Sequence, residues 1–298
     1  MTIKVGTTEG AVSRIRVFLE MIKFSHTIFA LPFALTGAVL AARGVPTLYR
    51  IFWIVMAMIG ARTAAMGLNR LIDAEIDARN PRTSGRAIPA GLLGKGTVAV
   101  FVAVAVALLL FAASRLNPLC FYLAPVALFF LVLYSYCKRF TSLAHLVLGL
   151  CLGAAPVGAW IAVKGALELP PIILGCAVLF WSAGFDVLYA LQDLEFDRAS
   201  GLHSIPVRLG VRGSLLAARI FHLVMMILLV TLMVMMHLGL FFLGGLLVTA
   251  AMLVHEHRLL KDGDLSKLDM AFFNVNGYIS LVVFLCTLAD VFAFRSGP

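Results

Sequence analysis

Polar side chains recur at a fixed spacing in one short stretch of the chain, NRLIDAEID over residues 69–77. Asn69, Asp73 and Asp77 come every four residues, so on a helix all three lie on one face. Arg62 lies seven residues before Asn69 and therefore on the same face. It stands within an apolar run, where an arginine costs roughly 2.5–3.5 kcal/mol on membrane-insertion scales. An arginine, an amide and two carboxylates along one stripe indicate a functional site.

A second acidic stripe lies far downstream, DVLYALQDLEFD over residues 186–197. Asp193 and Asp197 repeat the spacing of four, and Asp186 lies seven residues before Asp193. Each stripe ends an apolar run, so we expect the two to form a shared site. Mg²⁺ is usually held by few carboxylates together with the phosphate oxygens of a substrate. The two pairs of aspartates therefore predict a site for Mg²⁺ and a diphosphate, with Asp186 either binding substrate or pairing with a structural cation.

Basic residues accompany both acidic stripes. The loop over residues 78–96 follows the first stripe and contains arginines together with Gly and Pro, and residues 198–213 follow the second with a similar composition. A third basic stretch, YSYCKRFT, contains Tyr134, Lys138 and Arg139. Ordinary anchoring at a membrane interface would also bring aromatic and basic residues together. The functional interpretation is that these cations neutralise charge growing on a leaving diphosphate, while the apolar core keeps water from the carbocation left behind.

The composition places the chain among polytopic α-helical membrane proteins. It is 62% hydrophobic and 13% charged, whereas soluble domains carry about 25% charged residues. Long continuous apolar runs, without the alternation of barrel strands, exclude a transmembrane β-barrel. We therefore expect an all-α integral membrane protein with nine transmembrane helices. The predicted spans cover residues 26–42, 48–68, 97–113, 119–134, 143–163, 171–190, 214–236, 238–255 and 271–294.

The basic residues between the spans predict the orientation. With the N-terminus in the cytoplasm, most Lys and Arg residues outside the spans fall on the cytoplasmic side, and so do both acidic stripes. The net charge of +9 has the same explanation, and no nucleic-acid partner is expected because no basic block stands outside the helices. Residues 1–25 are expected to be cytoplasmic or interfacial, in part as a surface helix. The apolar side of that helix would carry Ile15, Phe18, Leu19 and Ile22.

The remaining titratable and sulfur-bearing residues predict no second site. The five cysteines lie in or beside apolar runs, form no CxxC pair, and are expected to be small buried hydrophobes. His255, Glu256 and His257 alternate along the chain. Neighbours at that spacing face apart on a helix, which predicts a polar helix end rather than a metal site. We expect a single domain over residues 1–298.

Three motifs together resemble one family. NxxxDxxxD over residues 69–77, YxxxKR over residues 134–139 and DxxxxxxDxxxD over residues 186–197 are similar to those of the UbiA superfamily of intramembrane prenyltransferases. The resemblance implies a nine-helix bundle around a central cavity, with Mg²⁺ as the cofactor. It also implies three partners: a polyprenyl diphosphate, an aromatic acceptor acid, and the lipid bilayer of the inner (cytoplasmic) cell membrane.

The resemblance assigns roles to individual residues. Arg62 matches the arginine that the family places near the aromatic acceptor. The residues that the resemblance implies for catalysis are Asn69, Asp73, Asp77, Asp193 and Asp197, the four aspartates being the metal ligands. Those that it implies for substrate binding are Arg62, Tyr134, Lys138, Arg139, Asp186 and Tyr189.

The acceptor has two candidates. The chain most resembles the branch that prenylates 4-hydroxybenzoate in respiratory quinone synthesis. Many members of that branch read Asn-Asp where this chain reads Asn69-Arg70, and NRLIDAEIDARNPRT is closer to menaquinone-linked relatives that act on 1,4-dihydroxy-6-naphthoate.

Two other protein classes use spaced aspartates. An intramembrane cation transporter would need neither YxxxKR nor basic loops, and a phosphatidyl-alcohol transferase would pack its aspartates into a single motif.

Overall fold

The computed structural model describes residues 7–22, 30–260 and 275–294 of the chain. Within those ranges the chain is helical and contains no β-strand. A short 3₁₀ turn, Leu191–Asp193, separates α8 from α9. The α-helices are α1 (Thr7–Met21), α2 (Leu31–Ala42), α3 (Leu48–Ile72), α4 (Ala74–Arg79), α5 (Lys95–Leu116), α6 (Pro118–Cys137), α7 (Ala144–Lys164), α8 (Leu169–Ala190), α9 (Leu194–Ala199), α10 (Ile205–Met236), α11 (Leu240–Leu259) and α12 (Asn276–Phe294).

The structure contains 8 helices, among the described residues, that are long and apolar enough to cross a membrane. The protein is therefore a multi-pass membrane protein, as its composition predicts. The count of nine spans is not confirmed. The first expected span, 26–42, is represented by α2, which has 12 residues, fewer than the ~20 that cross a bilayer. Residues 26–29 of that span, and 271–274 of the last one, lie outside the described residues.

The spanning helices and α2 pack side by side in a closed ring. α3 contacts α5, α5 contacts α6, and the series of neighbours continues through α7, α8, α10, α11 and α12. The ring closes at α2, which contacts both α12 and α3 and also packs against α7. Phe33 on α2 and Trp181 on α8 belong to the main apolar core, with their ring centroids 4.9 Å apart.

Helices α7 and α8 touch through their backbones. A Cβ atom built on Gly153 would lie 2.3 Å from the carbonyl oxygen of Gly175, which is far inside van der Waals contact. Such close approach is typical of membrane helices, where small residues let the backbones meet and increase dispersion contact. This contact holds α7 against α8, the helix that leads into the second acidic stripe.

Helix α10 ends where the sequence predicts a turn, and it is broken near its start. The turn expected between the seventh and eighth spans is confirmed, since α10 ends at Met236 and His237 follows in the left-handed conformation, with φ 53°. Near its start, α10 is broken at Gly210, whose φ of 66° and ψ of −175° are not helical. The first five residues of α10 therefore form a separate turn at the end of the bundle that carries the acidic stripes.

The N-terminal helix is amphipathic, but its buried face differs from the expected one. Phe18 and Ile22 are buried, and Phe18 stacks on Phe101 of α5 with ring centroids 4.3 Å apart. Ile15 and Leu19, expected on the same side, are 47% and 42% exposed. Phe18 and Ile22 pack against α5, the loop before it and the end of α3, and this contact does not extend to Ile15 and Leu19.

Candidate active site

In both acidic stripes the helix is interrupted at the first DxxxD aspartate. Asp73 stands between α3 and α4 with φ −92° and ψ 2°, and Asp193 stands between α8 and α9 with φ −100° and ψ 4°. The expected single helical face is therefore interrupted in both stripes, because each of these residues adopts a turn conformation. The amide of Asp77 still donates to the Asp73 carbonyl at 2.8 Å, which keeps consecutive aspartates one turn apart. The two DxxxD segments therefore have similar backbone conformations at their first aspartate.

Asp73 is the centre of the first stripe. Its side chain is 3% exposed and contacts Lys138 Nζ at 2.6 Å and Arg139 Nη2 at 3.2 Å. Asn69 Nδ2 donates to Asp73 Oδ2 at 3.0 Å, and Arg70 Nη1 donates to Asn69 Oδ1 at 3.2 Å. The structure therefore joins the first stripe to the YxxxKR stretch, which ends α6. If Lys138 and Arg139 served only to anchor the helix at the membrane interface, these contacts with Asp73 would not be expected.

Asp77 is held by the loop that follows it. Arg86 Nη1 lies 2.7 Å from Asp77 Oδ1 and 2.8 Å from Oδ2. Thr83 Oγ1 donates to the Asp77 carbonyl at 3.1 Å, which fixes the loop against α4. The Asp77 side chain is 6% exposed, so this pair is shielded from bulk water and the Coulomb attraction is only weakly screened.

Asp193 accepts hydrogen bonds from residues of the loop that follows the first stripe. Arg82 Nε donates to Asp193 Oδ1 at 2.8 Å, its Nη2 donates to Oδ2, and Asn80 Nδ2 donates to Oδ1 at 2.9 Å. Burial disfavours the charge on the Arg82 guanidinium, but the hydrogen bonds to Asp193 outweigh this effect and raise the pKa of Arg82. Arg82 Nη1 also donates to Tyr189 Oη at 3.2 Å, which places Tyr189 at the same cluster.

Asp197 differs from the other three aspartates because it forms no ion pair with any residue that the structure describes. Across the described ranges, no three His, Cys, Asp or Glu side chains converge closely enough to hold a metal by themselves. The donor set is nevertheless one of carboxylate oxygens in two pairs, which suits Mg²⁺, since that ion takes few protein ligands and completes its shell with water and phosphate. A metal here would need a phosphate-bearing substrate beside it.

Arg62 and Tyr134 take no part in these ion pairs. Arg62 is on α3, and its Nε is buried with no hydrogen-bond partner in the described part of the protein. An arginine inside a bundle can also serve in a structural ion pair, but the described residues contain no such pair for Arg62. Tyr134, on α6, lies close enough to Asp186 and Asp73 to interact electrostatically with both. Arg62 lies about two helical turns before Asn69 on α3, and we call this level the deeper layer of the site.

Asp186 pairs with a residue that the sequence motifs do not include. His145 Nδ1 lies 2.6 Å from Asp186 Oδ2. Asp186 therefore has a structural partner, a histidine, and its role in substrate binding stays a prediction. His145, Asn80, Arg82 and Arg86 are the site residues that were not predicted. The arginines were visible as members of a basic loop, but nothing in the sequence says which carboxylate each one reaches.

The model of the family described as "UbiA prenyltransferase family" matches residues 30–278. The chain belongs to the UbiA prenyltransferase family. A 4-hydroxybenzoate octaprenyltransferase of Yersinia enterocolitica is 30% identical over 247 residues, which are 83% of this chain and 85% of that protein. One from Francisella tularensis subsp. novicida is 28% identical over 258 residues, 84% of this chain and 88% of that protein. Membership in UbiA makes this chain a polyprenyltransferase and decides against the transporter and phosphatidyl-alcohol transferase alternatives.

Solved UbiA structures share the fold. The apo structure of a UbiA homolog from Aeropyrum pernix matches with a TM-score of 0.82 and 31% identity, over 89% of this chain and 98% of that one. A UbiA homolog from Archaeoglobus fulgidus, bound to DMAPP and Mg²⁺, matches with a TM-score of 0.69 and 19% identity, over 92% and 98% of the two chains. The second likeness concerns the fold alone.

Proposed function

We propose that this UbiA protein transfers a polyprenyl group from polyprenyl diphosphate to a hydroxylated aromatic carboxylate, 4-hydroxybenzoate or a close analogue, in respiratory quinone synthesis. The observation that carries the proposal is the convergence of both acidic stripes with Lys138, Arg82 and Arg86 at one end of the ring. Such a set of opposite charges suits a metal-bound diphosphate. The names of the related octaprenyltransferases support the choice of 4-hydroxybenzoate.

The diphosphate is proposed to bind between the stripes. Bound Mg²⁺ would be held by Asp73, Asp77, Asp193 and Asp197, and it would neutralise charge on the departing diphosphate. Of the two cations on Asp73, Lys138 contacts only that carboxylate in the described structure. Lys138 is therefore free to change partner and contact a phosphate oxygen.

Arg139 is proposed to remain in place when substrate binds. Its Nη1 donates to the Ser135 carbonyl at 2.7 Å, and its Nη2 donates to the Ile72 carbonyl at 2.9 Å. These bonds join the ends of α3 and α6. We therefore assign Lys138, Arg82 and Arg86 to the diphosphate, and Arg139 to holding the two helix ends together.

The aromatic acceptor is proposed to lie deeper, beside Arg62. Seven residues of helix place Arg62 about 10 Å from Asn69 along the axis of α3, and the same number separates Asp186 from Asp193. A guanidinium binds a carboxylate through two parallel hydrogen bonds, so Arg62 would hold the acid end of the acceptor. Asp186 would accept a hydrogen bond from its hydroxyl. The apolar helices around this layer would exclude water, which otherwise captures the allylic cation.

The membrane is proposed to be the inner (cytoplasmic) cell membrane, with the acidic stripes on the cytoplasmic side. The decisive experiment gives the purified full chain a labelled polyprenyl diphosphate, Mg²⁺ and either 4-hydroxybenzoate or 1,4-dihydroxy-6-naphthoate. We expect labelled product with 4-hydroxybenzoate that disappears when EDTA is added. Product with the naphthoate alone would move the protein to menaquinone synthesis, the alternative that its Asn69-Arg70 motif favours. Transfer to neither acid would refute the proposal.

A further inference from the structure

His145 lies at the start of α7 and bridges two other elements. Its side chain is 5% exposed, and its Nδ1 lies 2.6 Å from Asp186 Oδ2 on α8. The backbone amide of Ile205, the first residue of α10, donates to His145 Nε2 at 3.4 Å. Because a backbone amide can only donate, Nε2 is the acceptor nitrogen of the ring. The proton of the neutral ring then sits on Nδ1 and is donated to the Asp186 carboxylate.

The bridge also belongs to the segment that follows the second stripe. The amide of His203 donates to the Lys138 carbonyl at 2.7 Å, and Ser204 caps α10 by accepting from the Val207 amide at 3.2 Å. Both ends of this short segment are thus fastened, one to the YxxxKR stretch and the other to His145. The imidazole is therefore held between a fixed backbone amide and Asp186, and it has little freedom to rotate.

Only one of the two carboxylate oxygens of Asp186 takes part in this bridge. Its Oδ2 is occupied by His145, whereas its Oδ1 has no partner among the residues that the structure describes. The Asp186 side chain is 19% exposed and lies near the Tyr134 hydroxyl. An oxygen that is accessible, unpaired and beside the deeper layer of the site is suited to a ligand.

We propose that His145 is a positioning residue, which fixes the Asp186 carboxylate so that Oδ1 faces the hydroxyl of the aromatic acceptor. This inference rests on the proposed function. A hydrogen bond to a carboxylate restricts its side-chain torsions, and a ligand hydroxyl then meets its acceptor in a preferred orientation. Loss of such a bond lowers acceptor use by about ten- to a hundredfold.

The test measures kcat and KM for both substrates in the purified full chain. His145→Leu is expected to lower kcat/KM for 4-hydroxybenzoate about ten- to a hundredfold and to leave KM for the polyprenyl diphosphate within about twofold. The double variant His145→Leu/Asp186→Asn is expected to be no worse than Asp186→Asn alone, since His145 acts through Asp186. Additive losses, equal losses for both substrates, or normal acceptor use by Asp186→Asn would each overturn the inference.

Two further variants test the proposal in case His145→Leu does not fold. The amide nitrogen of Asn reaches the place of Nδ1, whereas Gln reaches the place of Nε2. We therefore expect His145→Asn to retain more acceptor use than His145→Gln, and the reverse order or equality contradicts the proposal. A wild-type protein that prenylates neither acid refutes the proposed function itself, an outcome distinct from active wild type with unaffected His145 variants.

Discussion

Arg82 follows the first acidic stripe in the chain, but its guanidinium binds the Asp193 carboxylate of the second stripe, 111 positions away. Asn80, from the same loop, donates to the same carboxylate. The loop after the first stripe is thus the element that closes the site against the second. If Asp193 binds Mg²⁺ as proposed, Arg82 would have to exchange that carboxylate for another partner, such as a phosphate oxygen.

Replacing Arg82 should weaken binding of the prenyl donor. Arg82→Gln removes a planar guanidinium that would otherwise donate hydrogen bonds to a phosphate. We expect kcat/KM for the polyprenyl diphosphate to fall about ten- to a hundredfold, with the KM for the acceptor nearly unchanged. Arg79→Gln is the matched control, because Arg79 is exposed and its Nε donates only to the Glu75 carbonyl, at 3.2 Å. Equal effects of the two substitutions would contradict the assignment.

The aspartates of both stripes should be required for transfer. Asp73→Asn or Asp193→Asn removes a carboxylate proposed to bind Mg²⁺, and we expect both variants to insert in the membrane but to lose activity. They should also lose the rise in melting temperature that Mg²⁺ and inorganic diphosphate together give the wild type. Full activity in both variants would refute the metal assignment.

Two glutamates provide internal controls for these aspartates. Glu75 and Glu195 lie within the two stripes but point to solvent, with side chains 84% and 83% exposed. Glu75→Gln and Glu195→Gln carry the same loss of one carboxylate from the same short segments. We expect both to retain activity and the melting shift, which separates metal binding from a general effect of charge.

The sequence predicted the composition of the site better than its connections. Spacing alone brought Asn69, Asp73 and Asp77 together, because residues four apart on a helix are neighbours whatever surrounds them. The breaks at Asp73 and Asp193, and the partner of each arginine, depend on contacts between distant segments. Periodicity contains no information about those contacts.

The stretch from His255 to His257 shows the same limit. Glu256 was expected at a polar helix end and lies in the last turns of α11, where it is 1% exposed and accepts a hydrogen bond from Asn276 on α12 at 3.0 Å. His257 Nε2 lies 3.0 Å from His222 Nδ1 on α10. This polar helix end therefore lies against the neighbouring helix, which supplies the amide that makes the burial of Glu256 tolerable.

The backbone contact between α7 and α8 should not tolerate a side chain. Gly153→Ala places a Cβ against the Gly175 carbonyl, and overpacking of this kind costs typically about 1–3 kcal/mol. Gly158→Ala, on the same helix, adds a Cβ with nothing within 4 Å and should be neutral or slightly stabilising. Thermal unfolding in detergent should therefore show a lower melting temperature for Gly153→Ala only. Equal melting temperatures would show that the helices separate easily.

The orientation remains a prediction that cysteine labelling can test. In a variant without the five native cysteines, Ser84→Cys lies in the loop after the first stripe, and Leu167→Cys lies between α7 and α8 on the opposite side of the bundle. A membrane-impermeant maleimide added to intact cells should label the cysteine at position 167 and not the one at position 84. Labelling at position 84 alone would reverse the assigned topology.

The substitution Arg62→Lys should separate the two substrates most clearly. Arg62 Nε is buried without a hydrogen-bond partner in the described structure, although a buried guanidinium requires an anion to offset the loss of hydration. Asp73, Asp77 and Asp193 are paired with other cations, and we propose that the acceptor carboxylate is the anion that pairs with Arg62. Lysine keeps the positive charge but loses the planar fork that forms two parallel hydrogen bonds.

We therefore expect Arg62→Lys to raise KM for 4-hydroxybenzoate about tenfold or more while affinity for the polyprenyl diphosphate changes less than about twofold. An acceptor analogue without the carboxylate is the matched ligand control, because it should be used poorly and almost equally by wild type and variant. If Arg62→Lys weakened both substrates to the same extent, Arg62 would be a structural or diphosphate-binding residue. The carboxylate contact would then have to come from another side chain of the deeper layer.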